Sequence, residues 1–101
     1  MSAAALTPTL VETRYVQTIN SYGTPIRLIE YIIKVTKVTQ NDWIVAATYT
    51  PGTLLMADGM TIDSSGDGVQ EAPTYTATGT KIVLQSSTTG TTYLTVLCQP
   101  S

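Results

Sequence analysis

The chain has 101 residues, of which 12% are charged, with a net charge of −2 and no histidine. That length fits one domain with a single two-layer core and is too short for a catalytic domain beside a separate binding domain. Without histidine, His-based general-base, metal and triad chemistry is excluded, and the scattered Arg14, Arg27, Lys34, Lys37 and Lys81 make no basic footprint for nucleic acid or an anionic membrane.

Residues 1–9 are Ala-rich and then Thr/Pro-rich without periodicity, which reads as an extended N-terminal arm ahead of a single β domain at 10–101. The arm lacks a basic n-region and an apolar h-region, and no apolar run in the chain is long enough to span a bilayer, so synthesis in the cytosol is expected. Leu10–Ile19 is the first predicted strand. Neither of its faces is cleanly apolar, which suits an edge strand or one covered on both sides. Asn20-Ser21-Tyr22-Gly23-Thr24-Pro25 is a turn signal.

Ile26–Thr50 then reads as a long central β-hairpin. Ile29, Tyr31, Ile33 and Val35 alternate with Glu30, Lys34 and Thr36, the period-2 pattern of a half-buried strand. A helix with Thr24 as N-cap and Pro25 in its first turn is the rival, but the density of Ile, Val and Thr favours the pleat, where β-branched side chains lose least freedom. Gln40-Asn41-Asp42 reads as the turn, with Trp43, Val45, Ala47 and Tyr49 returning on one face. As the chain has no Phe, the aromatic bulk of this core falls to Tyr31, Trp43 and Tyr49.

Asp58-Gly59 lies between short apolar runs, a hairpin signal because both central residues of a type I′ turn need positive φ. Residues 63–73 read as an irregular loop and Thr74–Thr78 as a short strand. A closing hairpin follows: Ile82 and Leu84 point inward, Ser87–Gly90 turns, and Leu94, Val96 and Cys98 share one face, with Cys98 a small core residue. These are about seven short strands with Gly/Pro/Asn turns between them, the pattern of an all-β antiparallel sandwich or small barrel.

Carboxylates are the remaining candidates for chemistry, and most sit in turns where Asp is expected for backbone reasons. Asp63-x-Ser65-x-Asp67-Gly68, followed by Glu71, resembles the start of a calcium loop, where alternate oxygen ligands wrap a cation. The match ends where the bidentate Glu should be, at Thr74, so a polar loop is expected and no metal or other cofactor. Glu30 and Lys34 are expected to form a same-face ion pair. With no nucleophile beside a base and no convergent acid pair, an enzyme is not expected.

Threonine makes up about a fifth of the residues and the charge content is roughly half the usual share; a small all-β protein with Thr on its solvent-facing strand positions accounts for most of this, and the sharper reading is a surface partly covered by other subunits. The arm Met1–Thr9, the Thr/Ser/Gly-rich strands and the closing run GTKIVLQSSTTGTTYLTVL together resemble the small all-β decoration, cement and head-fibre proteins of tailed bacteriophages. That resemblance implies a virion component made in the cytosol, binding a protein shell as a homo-oligomer, a trimer rather than a dimer, with Leu6, Thr7, Pro8 and Thr9 as a partner-binding arm ordered only against a neighbour. The competing function is a carbohydrate- or ligand-binding β-module using exposed Tyr22 and Tyr75.

Overall fold

The computed structural model describes residues 3–19, 22–45, 52–75 and 81–100. Among the described residues there are seven strands: β1 (Thr9–Ile19), β2 (Pro25–Lys37), β3 (Trp43–Val45), β4 (Gly52–Ile62), β5 (Gly68–Glu71), β6 (Lys81–Val83) and β7 (Gly90–Pro100). All strand pairs are antiparallel, and no helix occurs among the described residues. The larger sheet has the order β1-β2-β7-β4-β5 and the smaller pairs β3 with β6; they do not close into a barrel.

Alternation builds the core as expected. Ile33 and Val35 of β2, Leu94 and Val96 of β7, and Leu54 and Ala57 of β4 point to one side of the large sheet. Ile44, Ile82 and Leu84 meet them from the small sheet, so the core is aliphatic and two layers thick. Cys98 is fully buried among these residues, and its burial pushes the thiol pKa upward.

Strand partners differ from expectation. β2 does not pair with β3, because both of its flanks are occupied, by β1 and by β7. The chain instead crosses between the sheets at Val38–Asp42, with Asn41 at φ 70°. Asp42 fastens the crossing. Its Oδ2 accepts the N–H groups of Val38 (3.0 Å) and Thr39 (2.8 Å), and its Oδ1 accepts the N–H of Ala4 (2.9 Å). Leu84 N–H donates to the Asp42 carbonyl and Asn41 N–H to the Leu84 carbonyl, tying the same corner to the end of β6.

The crossing also inverts β3. Ile44 is buried, Val45 is exposed and Trp43 is half-buried under the ammonium of Lys81, 4.1 Å from the ring centroid. Trp43 and Val45 are therefore not core residues; Ile29 and Tyr31 are half-buried, Tyr31 packing on the core, and Tyr49 lies outside the described residues. Nor do β6 and β7 form a closing hairpin: they belong to opposite sheets, although Ile82, Leu84, Leu94 and Val96 all face inward as read.

Asp58-Gly59 is not a turn but lies inside β4. Gly59 is needed there for space, since a Cβ would run into the Tyr93 carbonyl oxygen of β7. The β4–β5 turn is Asp63–Asp67, where the Asp63 carboxylate accepts the N–H groups of Ser65 (2.9 Å) and Asp67 (3.0 Å). The arm is corrected too. Ala5 bridges Trp43 in parallel, Leu6 N–H donates to the Trp43 carbonyl (2.8 Å) and Leu6 packs on the core, so Ala4–Leu6 is ordered by its own chain. Thr7 is exposed, Pro8 half-buried, and Thr9 opens β1.

Asp42 gives this corner a pH dependence. Burial opposes its charge, but three backbone N–H donors and the nearby Lys37 outweigh that cost and hold its pKa below the usual carboxylate range. A depressed native pKa contributes stability that is complete above about pH 4 and fades as pH falls through the lower native value. Acid titration of the melting temperature should therefore show a decline below pH 4 that is shallower in Asp42→Asn, whose starting stability is lower. Parallel curves would remove Asp42 from that role.

Candidate docking surface

The ladder between β2 and β7 begins at Ile29↔Cys98, whereas β1 stays paired to β2 down to Ile19↔Pro25. Pro100, which has no N–H to donate, stands where the β2–β7 ladder ends. Beyond that point the β1–β2 hairpin runs on alone. The molecule is elongated, 48 × 25 × 21 Å, and the hairpin tip carries Gly23 at φ 80°.

This projecting segment carries large exposed side chains: Ile19 is 67% exposed and Tyr22 91%, and at its base Tyr15 is 81% exposed. Where β7 leaves β2, Gln99 and Pro100 face Tyr15, Gln17, Arg27 and Ile29 across an open cleft of about 850 Å³. Along Pro25–Leu28 the strand has β1 on one side and, among the described residues, no strand pairing on the other. Extended chain with an open flank, large apolar side chains and a single charge, Arg27, is chemistry suited to receiving another polypeptide. The outer face of the large sheet adds Met56, Met60 and Tyr93, all partly exposed.

Charges along β1 and β2 do not pair as read. Glu30 lies opposite Arg14 and meets its guanidinium at 3.4 Å; Arg14 also meets Glu12 at 3.1 Å. These carboxylates raise the Arg14 pKa, Glu12 by hydrogen bond and charge before Glu30. Lys34 instead lies over the Tyr93 ring, 5.9 Å from its centroid.

The strongest polar cluster is buried and was not foreseen. Lys37 and Glu71, on β2 and β5, have fully buried side chains with Nζ 2.6 Å from Oε1. Lys37 Nζ also donates to the carbonyl (2.5 Å) and Oγ (2.9 Å) of Ser86, and Ser86 N–H donates to Glu71 Oε2 (3.0 Å). Every charged atom has a partner, as a buried pair requires. A lysine continuing the odd-numbered face of Ile33 and Val35 was the available signal: it calls for a buried anion. The pair clamps the end of β2 to β5 and presents no open position to a substrate.

The calcium-like loop is reorganised similarly. Asp63 is occupied by turn N–H groups, Ser65 and Asp67 are exposed, and Glu71 is taken by Lys37. Among the described residues no three His, Cys, Asp or Glu groups converge to hold a metal. Tyr75, expected to be exposed, is half-buried and packs on the core, whereas Tyr22 is exposed. Comparison of the chain with protein-family models, curated proteins and solved structures finds no match.

Proposed function

We propose that this chain is a structural assembly protein of the capsid decoration or cement kind, which binds a larger protein shell and copies of itself. The observation that carries this reading is the β1–β2 hairpin, extended beyond the β2–β7 ladder with Ile19 and Tyr22 exposed towards its tip and Tyr15 exposed at its base. A free monomer gains nothing from large apolar side chains on a narrow projection, whereas aromatic anchors are what protein interfaces use most. The sparse charge supports the same reading, since interface cores are depleted of it. The shell itself is drawn from the resemblance of the chain to phage decoration proteins.

The second reading, a ligand-binding module, has the cleft beside Tyr15 and Arg27 in its favour, whose volume lies in the range of small-molecule sites. Co-sedimentation separates the two. The purified chain should pellet with particles from its source and lose that behaviour on Tyr22→Ser with unchanged melting. A chain that stays in the supernatant but binds an oligosaccharide would favour the module.

A further inference from the structure

β1, with 11 residues, is the longest open edge of the large sheet among the described residues, the opposite edge being divided between the four-residue β5 and residues 52–58 of β4. An open edge offers a row of backbone donors and acceptors, and natural proteins usually guard it with Lys, Pro or a bulge. From Thr9 to Ile19 there is no Lys and no Pro, and the bulge lies near one end, between Leu10 and Glu12. The sequence of this edge, Leu10-Val11-Glu12-Thr13-Arg14-Tyr15-Val16, reads the same in chemical class from either end, except that the charges are opposite: two apolar residues, acid, threonine, base, two apolar residues.

We propose that β1 is a pairing edge for a second copy of this chain, antiparallel about a two-fold axis through Thr13. The proposal deepens the assembly reading and rests on it for its biological purpose. In this register Glu12 of each copy lies opposite Arg14 of the other, so two reciprocal ion pairs form across the seam. In the same register Val11 of each copy faces Tyr15 of the other, beside the bulge that β1 makes between Leu10 and Glu12 against β2. The exposed Val11 and Tyr15, at 54 and 81%, thereby gain a cross-strand neighbour.

Charge selects the register. A two-fold through Arg14 sets guanidinium against guanidinium, one through Glu12 sets carboxylate against carboxylate, and one through Tyr15 leaves both charges facing neutral side chains. Only Thr13 matches every charge with its opposite. The result is one continuous ten-stranded sheet from which both hairpin tips still project. The subunit number carried by this edge is two, not the three implied by the phage resemblance. A single strand pair buries less than a standard interface, so the dimer should dissociate on dilution.

Sedimentation equilibrium of the full chain at about 100 µM, roughly the regime where an interface below standard size is populated, should give twice the 10.8 kDa of one chain, falling towards one on dilution. Arg14→Glu sets like charges across the seam and should give one chain with an unchanged circular dichroism spectrum. Mild oxidation of Thr13→Cys should yield a covalent dimer, the paired Cβ atoms being about 5 Å apart. Gln17→Cys should not crosslink, its two copies standing roughly 27 Å apart along the seam. A monomeric wild type, or a dimer that Gln17→Cys traps and Thr13→Cys does not, overturns the proposal. Particle binding is scored separately: wild type that pairs yet never pellets with particles removes the assembly reading and leaves the pairing standing, and a monomer that pellets does the reverse.

Discussion

Replacing Glu71 by Gln is expected to cost about 3–5 kcal/mol, because the Lys37 ammonium then stays buried without an anion. That is a large share of the stability of a domain of this size, roughly 5–15 kcal/mol. Removing both charges together should behave differently. Lys37→Met with Glu71→Leu trades two desolvated ions for apolar contacts, and most of the loss should return, the N–H, hydroxyl and carbonyl of Ser86 being the groups then left without these partners. Urea unfolding of the three proteins checks this. A single Glu71→Gln variant within 1 kcal/mol of wild type would mean that water reaches the pair in solution.

The second large effect tests the inverted face of β3. Ile44→Ala should cost about 2–5 kcal/mol, since the removed methyl groups lie in the closed core against Ile82 and Leu84. Val45→Ala, one residue on and exposed, should stay within about 0.5 kcal/mol. Paired denaturation curves decide it. The reverse order would put Trp43 and Val45 back in the core and break the present pairing of β3 with β6.

Why one part of this fold was legible and another was not follows from what each signal encodes. The period-2 pattern of β2 and β7 reports burial directly, so Ile33, Val35, Leu94, Val96 and Cys98 were read correctly as inward. Ile82 and Leu84 were read from the same pattern. Pairing partners are not encoded that way. Gln40-Asn41-Asp42 satisfies the demands of a hairpin turn and of an inter-sheet crossing equally; what decides between them is the Asp42 carboxylate, which collects N–H groups from three separate residues, one of them in the arm. β3 is only three residues long, too short for alternation to fix its face, and the bulk of Trp43 drew the reading to the wrong side. Asp58-Gly59 has turn chemistry but owes its glycine to the close approach of Tyr93.

The candidate docking surface was legible in part. The mixed faces of β1 pointed to an edge strand, which it is. The projection of the hairpin depends on where β7 stops pairing with β2, a three-dimensional relation set at Pro100 and Ile29 that no local pattern contains. Lys37 and Glu71 are 34 residues apart, and only the alternation that places Lys37 on a buried face hinted that a partner must exist.

Hydrogen exchange on the free and the particle-bound chain tests the central claim most directly. If the projecting hairpin is the docking element, those amides of residues 15–19 and 26–28 that point away from the β1–β2 ladder should exchange rapidly in the free chain and slow by at least about tenfold on binding, the signature of open backbone gaining partners. Amides of the β7 core should change little. Protection that appears instead along Met56–Ile62, with residues 15–28 unchanged, would contradict the account and move the docking surface to the outer face of the sheet.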